Sequence, residues 1–123
     1  MEALKIKSTQ DTPEIIFDPK NDQFQIIGNS IPENAVSYYE PIILWLRMYS
    51  ENPNRSTELV FKMNILNTSS TKMFMLIFKE INHIAEKSDV HISWYYDFAD
   101  DDLQELGVDF KTFTAASFEL IPE

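Results

Sequence analysis

The segment Asn67–Lys72 places four hydroxyl side chains in consecutive positions, in the sequence Asn-Thr-Ser-Ser-Thr-Lys. The preceding run, Leu59–Leu66, has the period of two that predicts a strand. The following residues, from about Ser69 to Glu86, carry apolar side chains at helical spacing. The hydroxyls are therefore expected at a helix N-terminus, where free backbone N–H groups and the helix dipole favour a phosphate. Both a bound phosphate and a phosphorylated hydroxyl fit such a position.

Helix capping is the other interpretation of this segment. Asn or Thr at the N-cap is common, because its side-chain oxygen accepts a backbone N–H of the first turn. If one of the hydroxyls is phosphorylated instead, the protein is a switch and not a catalyst. The residues by themselves leave both interpretations open.

Composition limits the possible partners. The chain has 123 residues and a net charge of −10, which argues against nucleic acid or an anionic membrane surface as partner. It has no cysteine, so disulfides and thiolate chemistry are excluded. Met1–Gln10 has no apolar run of signal-peptide length, and no segment reaches the roughly 18 apolar residues of a membrane span. We therefore expect a cytoplasmic protein with no membrane contact.

The sequence offers little for catalysis. His83 and His91 have no His or Cys partner at metal-ligand spacing, and we interpret both as ordinary histidines. Gly28 and Gly107 are the only glycines, which excludes the glycine-rich loops that bind nucleotide phosphates. We expect no catalytic residues, no metal and no cofactor.

An acidic group near the C-terminus is the remaining candidate. It lacks the spacing and the central glycine of a calcium loop, and it consists of Asp97, Asp100, Asp101, Asp102, Glu105 and Asp109. We interpret it as the solvated start of an acidic helix. A docking surface for a basic partner stays open, and so does a small enzyme that uses the cluster around Asp101.

The apolar pattern predicts one α/β domain over residues 1–123, with a mixed sheet of about six strands in the order βββαβαβαβ and helices packed on it. The predicted strands are Leu4–Ile6, Glu14–Phe17, Phe24–Ile27, Thr57–Leu66, Asp89–Tyr96 and Ala116–Ile121. The first and last of these are expected at the sheet edges. Alternation places Ile65 on the same face of its strand as Leu59, Phe61 and Met63.

Three local signals concern the helices. Ser30 and Glu33 have the spacing of a capping box for the first helix. Pro41 lies inside that helix and is expected to kink or restart it. The third helix, Asp100–Leu106, is expected to end at Gly107.

Several short motifs keep a common order and spacing along nearly the whole chain. They are Thr12-Pro13, Gly28-x-Ser30-x-Pro32-Glu33-Asn34, Asn67-Thr68-Ser69-Ser70-x-Lys72, Trp94-Tyr95-Tyr96-Asp97, and Asp101-Asp102 with Gly107. Together they resemble the SiaC family of small bacterial regulatory phosphoproteins associated with biofilm control. This resemblance implies a fold similar to the anti-sigma-factor antagonist (STAS) domain.

The resemblance also implies a partner switch that is not an enzyme. Thr68 would be the phosphoacceptor, modified by a Ser/Thr protein kinase and restored by a PP2C-type phosphatase. The unphosphorylated form would bind and activate a diguanylate cyclase, raising cyclic di-GMP. Asn67, Ser69 and Ser70 are expected to shape the acceptor loop and contact partners, and Lys72 is either a partner of the phosphate or an exposed lysine.

Two segments are candidates for docking outside the acceptor loop: the turn Pro32-Glu33-Asn34 and the acidic pair Asp101 and Asp102. An alternative function is a true anti-sigma-factor antagonist, whose partner would be a GHKL-type kinase that also binds a sigma factor.

Overall fold

The structure, a computed structural model, describes all residues from 1 to 123. The strands are β1 (Leu4–Ile6), β2 (Glu14–Asp18), β3 (Gln23–Ser30), β4 (Ser56–Leu66), β5 (Asp89–Tyr96) and β6 (Ser117–Pro122). The α-helices are α1 (Ala35–Tyr49), α2 (Thr68–Ile84) and α3 (Asp101–Phe113). The predicted order βββαβαβαβ is confirmed.

All six strands form one sheet, and they lie in it in chain order. β1, β2 and β3 pair antiparallel, whereas β3, β4, β5 and β6 pair parallel. A short 3₁₀ turn, Pro19–Asn21, closes the predicted hairpin between β2 and β3, and Asp22 follows it with a φ of 51°. The predicted mixed sheet is confirmed, with β1 and β6 at its edges.

The three helices cover one face of the sheet. Their buried residues form a single core with the strand residues that point to that face. α2 lies in the middle and contacts both α1 and α3. On the opposite face no helix covers the half-buried side chains of Ile27, Val60 and Tyr95. The carboxyl ends of the parallel strands therefore meet the N-termini of the helices along one edge of the domain.

Aromatic side chains make up much of the core between β4, β5 and α2. The Phe61 ring centroid lies 5.1 Å from that of Phe78 and 5.7 Å from that of Trp94. Aromatic pairs of this kind add about 0.5–1.5 kcal/mol each beyond the burial of their area. This packing anchors α2 on β4, the two elements that border the Asn67–Lys72 segment.

The start of α1 differs from the prediction. The N-cap is Asn34, whose Oδ1 accepts the Ser37 N–H at 3.0 Å. Ser30 is instead the last residue of β3 and is completely buried. The predicted capping box is wrong, because Asn34 is an equally good capping residue and the Ser30 hydroxyl has tertiary partners.

Pro41 does not interrupt α1, which is continuous from Ala35 to Tyr49. Its ring is exposed and lies in the second turn. The missing N–H leaves only the Ser37 carbonyl without its usual donor. Burial of the helix on the sheet outweighs this loss, and the expected restart is not observed.

A bulge changes the direction of the side chains at the end of β4. Gly28 pairs with Met63 and Asn29 pairs with Ile65, so Asn64 is an extra residue in β4. The alternation reverses there, and Ile65 is 47% exposed while Leu66 packs against the core. The prediction that Ile65 shares the buried face is wrong, because alternation holds only while the ladder is regular.

Gly107 does not end α3, which continues to Phe113. A Cβ at Gly107 would lie 2.5 Å from Leu120 Cδ2 and 2.6 Å from Trp94 Cδ1. The missing side chain therefore allows α3 to lie against β5 and β6. The predicted stop at Gly107 is wrong, because this glycine serves close packing and not a helix end.

We expect Gly107→Ala to lower the free energy of unfolding by about 1–2 kcal/mol, measured by urea denaturation. Overpacking costs about 1–3 kcal/mol, and the better helix propensity of Ala returns about 1 kcal/mol. The matched control is Val108→Ala on the exposed side of α3, with a change within about 0.5 kcal/mol. Unchanged or increased stability of Gly107→Ala would contradict this close packing.

Candidate functional site

The acceptor loop, residues 67–71, lies where β4 ends and α2 begins. Asn67 is the N-cap, with φ −79° and ψ 171°, and its Oδ1 accepts the Ser70 N–H at 2.9 Å. Thr68 is consequently the first residue of α2. The predicted helix N-terminus is confirmed, and it lies at the carboxyl edge of the parallel strands.

The four hydroxyls of this loop have different surroundings. Thr68 is exposed, and its hydroxyl makes no hydrogen bond within the chain. Ser69 is also exposed, but its Oγ donates to Asn67 Oδ1 at 3.1 Å. Thr71 is half-buried and donates to the Asn67 carbonyl at 3.0 Å. Thr68 is therefore the one residue of the four whose hydroxyl is both exposed and free of a hydrogen bond within the chain.

Ser70 is fully buried. Its Oγ lies 2.7 Å from Ser30 Oγ and donates to the Ser30 carbonyl at 3.1 Å. Ser30 Oγ also hydrogen-bonds the hydroxyl of the buried Tyr39, and burial raises the pKa of Tyr39 above its ordinary value although this bond opposes the shift. Ser70 thus joins the start of α2 to the end of β3, and its buried side chain has no surface that a partner can contact.

A groove of about 330 Å³ lies beside Thr68, between α2 and α3. Leu66, Thr68 and Thr71 form one side of it, and the other side is formed by Asp102, Glu105, Leu106 and Asp109. The three carboxylates follow one another at helical spacing along one face of α3. We name these three carboxylates, Asp102, Glu105 and Asp109, the acidic wall. It faces Thr68 across the groove.

The structure separates the acidic group of the sequence by role. Asp100 is the N-cap of α3 and accepts the Leu103 N–H at 3.0 Å, and Asp97 accepts the Ala99 N–H. Asp101 lies in the first turn and borders a second cleft together with Asp102. Of the two predicted docking carboxylates, only Asp102 also borders the groove beside Thr68.

Sequence reasoning did not place Glu105 and Asp109 beside the acceptor loop. The predicted end of α3 at Gly107 placed Asp109 outside the helix and so concealed the helical period that joins it to Asp102 and Glu105. The sequence showed no sign that Ser30 and Tyr39 support the loop. Ser30 and Ser70 are 40 positions apart, and no local pattern indicates such a contact.

The turn Pro32-Glu33-Asn34 lies close to the acceptor loop. The Asn67 N–H donates to the Ser30 carbonyl at 3.2 Å, which brings the segment after β3 next to the segment after β4. Pro32 is buried and Asn34 caps α1. Glu33 is exposed and carries the one ionisable side chain of this turn. Lys72 is exposed one turn after Thr68 and forms no ion pair.

Both histidines have ordinary polar partners. His83 Nδ1 lies 3.2 Å from Oε1 of the buried Glu80, which also pairs with Arg47. His91 Nδ1 lies 3.0 Å from Ser117 Oγ. No group of three or more His, Cys, Asp or Glu side chains is arranged to hold a metal ion. No helix has the length and apolar character that crossing a membrane requires.

The fold and the site together define a class: a small α/β domain that presents a hydroxyl-rich helix N-terminus beside an acidic groove. The chain belongs to the SiaC family, because residues 6–123 match the family described as SiaC family regulatory phosphoprotein. The resemblance identified from the motifs is confirmed.

Relatives support this membership over the full domain. The uncharacterized protein PA14_02130 of Pseudomonas aeruginosa (strain UCBPP-PA14) is 30% identical over 112 residues, covering 90% of this chain and 89% of its own length. The crystal structure of apo-SiaC from Pseudomonas aeruginosa superposes with a TM-score of 0.87 at 28% identity, covering 98% of this chain and 99% of that one.

A similar match is to SiaC in a complex. In the crystal structure of the diguanylate cyclase SiaD with its activator SiaC from Pseudomonas aeruginosa, the matching chain has a TM-score of 0.87 and 28% identity, with 98% of this chain and 99% of that chain covered. In Pseudomonas aeruginosa, the SiaC protein with this fold binds the diguanylate cyclase SiaD and is its activator.

We expect Asn67→Ala to lower the free energy of unfolding by about 1 kcal/mol, because it removes the N-cap of α2. Asn34→Ala removes the corresponding cap of α1 and is the matched control, with a similar expected loss. Thermal or urea denaturation measures both. If Asn67→Ala has no effect while Asn34→Ala does, the cap does not hold the acceptor loop.

Proposed function

We propose that this protein is a phosphorylation-controlled binding protein whose unphosphorylated form binds and activates a diguanylate cyclase. Phosphorylation of Thr68 by a Ser/Thr protein kinase blocks that binding, and a PP2C-type phosphatase reverses it. The protein itself catalyses no reaction, and a cytoplasmic location belongs to the same proposal. The carrying observation is the exposed, unbonded hydroxyl of Thr68 at the first position of α2, in a chain of the SiaC family.

The fold is suited to accept a phosphate at Thr68. The N–H groups of the first turn point out of the helix, and the positive end of its dipole favours a negative group. The Thr68 hydroxyl is exposed and makes no hydrogen bond that the modification must break. Lys72, exposed one turn later on the same helix, is in a suitable position to attract the phosphate.

The surroundings of Thr68 explain how a phosphate can prevent binding. A phosphate adds a charge of about −1.5 to −2, and it would enter a groove whose opposite side already carries Asp102, Glu105 and Asp109. A partner seated on the groove would have to bury this charge without adequate pairing, which costs several kcal/mol. Because each 1.4 kcal/mol is a factor of about ten in affinity, the modification can abolish binding while the domain stays folded.

The negative charge of this protein favours a partner with basic groups at the groove beside Thr68. The chain carries a net charge of −10, and the acidic wall adds a local negative field beside the acceptor loop. A cyclase surface that places basic groups opposite the acidic wall and uncharged groups opposite Thr68 is complementary to the unphosphorylated protein, and it has no group to pair with a phosphate on Thr68. Asp102 and the turn Pro32-Glu33-Asn34 border the loop from opposite sides, and we propose both as docking positions.

We expect peptide mass spectrometry of the protein from its native cells to find a phosphatase-sensitive phosphate on Thr68. Thr68→Ala should lose it, keep the unfolding midpoint and stimulate cyclic di-GMP synthesis by the cell's diguanylate cyclase permanently. Ser69→Ala is the matched control, because it removes the neighbouring exposed hydroxyl and should leave the phosphate in place.

A Thr68→Ala variant that the kinase still phosphorylates as readily as the unaltered chain would refute the assignment. The partner is tested separately by identifying the protein that co-purifies with Thr68→Ala. A GHKL-type kinase in place of a cyclase would indicate an anti-sigma-factor antagonist.

Asp102→Asn should weaken binding of the unphosphorylated protein to the cyclase by about two- to fivefold at low salt, with a smaller effect at high salt because exposed charges are screened. Binding is measured by titration at two ionic strengths. Glu58→Gln, an equal charge change at an exposed residue of β4 far from the groove, is the control. Equal effects of the two variants would mean that net charge, and not the acidic wall, attracts the partner.

A further inference from the structure

Three buried hydroxyls connect the acceptor loop to the rest of the domain. Ser30, Tyr39 and Ser70 are each fully buried and come from β3, α1 and α2. Ser30 Oγ bonds both the Tyr39 hydroxyl and, at 2.7 Å, Ser70 Oγ. We name these three side chains the hydroxyl network. No buried side-chain nitrogen or oxygen in the structure lacks a hydrogen-bond partner, so the network is fully satisfied.

Ser30 holds the acceptor loop from both sides of Thr68. Its carbonyl accepts the Asn67 N–H at 3.2 Å and the Ser70 hydroxyl at 3.1 Å. The next residue along the chain, Ile31, donates its N–H to the Asp11 carbonyl at 2.8 Å. The segments after β3 and after β4 are therefore joined by two hydrogen bonds to the Ser30 carbonyl, and the one from the Ser70 hydroxyl is buried.

We propose that the hydroxyl network positions Thr68 relative to the turn Ile31–Asn34, so that both segments form one preorganised docking surface. Tyr39 is the positioning residue of this network. This inference rests on the proposed function, because it concerns the presentation of Thr68 to kinase and cyclase. Tyr39 touches neither partner and acts through Ser30.

The tyrosine hydroxyl suggests a role beyond core packing. The Tyr39 ring packs edge-on against Phe74, with centroids 5.7 Å apart, and a phenylalanine would fill the same space. A hydroxyl buried in an apolar core is costly unless it is bonded. What it adds is a directional bond, which restricts Ser30 to one arrangement.

Preorganisation is the physical gain. A kinase transfers phosphate only to a hydroxyl held in the correct geometry, and small misplacements slow such reactions strongly. A cyclase that contacts two segments binds more tightly when their relative position is already set, since less conformational entropy is lost on binding. Loosening the network should therefore impair both events without changing any surface residue.

The opposite end of the same helix offers a matched control. The buried Tyr49 hydroxyl bonds Thr57 Oγ1 at 2.8 Å, and Thr57 Oγ1 bonds Ser88 Oγ at 2.8 Å. This second set lies near the start of β4, whereas the acceptor loop follows its end. Tyr49→Phe thus removes the same atom from a similar buried set that is remote from Thr68.

The experiment compares Tyr39→Phe with Tyr49→Phe in the full chain. The first readout is amide hydrogen exchange at Asn67, whose N–H spans the two segments; we expect it to be about fivefold faster in Tyr39→Phe, the factor for one lost buried hydrogen bond. The second is kcat/KM for phosphorylation of Thr68, expected to fall at least about fivefold in Tyr39→Phe alone. The urea unfolding midpoints of the two variants are compared to verify that both are folded under the conditions of the assay.

Equal exchange at Asn67 and equal phosphorylation in the two variants would overturn the inference. If Tyr39→Phe does not fold, Ser70→Ala removes the other bond to Ser30 Oγ together with the bond to the Ser30 carbonyl, and the same two readouts decide. If even the unaltered chain is not phosphorylated, the proposed function fails while the exchange at Asn67 still shows whether the network holds the loop.

Discussion

The arrangement of this protein around Thr68 depends on the bonds that the end of β3 makes to the start of α2. Parallel pairing of β3 with β4 brings Ser30 opposite Leu66, and Ser30 then accepts hydrogen bonds from residues on both sides of Thr68. The first turn of a helix is the part that frays most readily, because its N–H groups lack partners. Here it is held by the Asn67 cap and by a serine buried in the core.

A rigid support and an accessible hydroxyl would serve different needs of the proposed switch. Ser70 and Thr71 use their hydroxyls to hold the loop, whereas Thr68 leaves its own free. A modification at the free position changes the charge of the surface and leaves the supporting bonds intact. In the proposed switch, the acidic wall would increase the effect of that charge, because a phosphate would meet carboxylates across the groove and the partner would have to bury both.

Local signals were reliable where neighbours in sequence decide the outcome. The alternation in β5 and in β4 as far as Met63, the helical period of α2 and the capping capacity of Asn67 all predicted structures that are observed. They failed where a distant contact outweighed a local preference. Ser30 has the sequence of an N-cap but bonds Tyr39 and Ser70, and Gly107 has the sequence of a helix end but packs on Trp94.

The sequence by itself determined the order of elements, the position of the hydroxyls at a helix N-terminus and, through its motifs, the family. These features depend on periodicity, capping and residue spacing, which act over a few positions. Only the tertiary structure decided which hydroxyl is free, that Ser70 is buried, and that Asp102, Glu105 and Asp109 face Thr68. Those outcomes require α1, α2 and α3 to pack on one sheet, and exposure is a property of the packed domain and not of any segment alone.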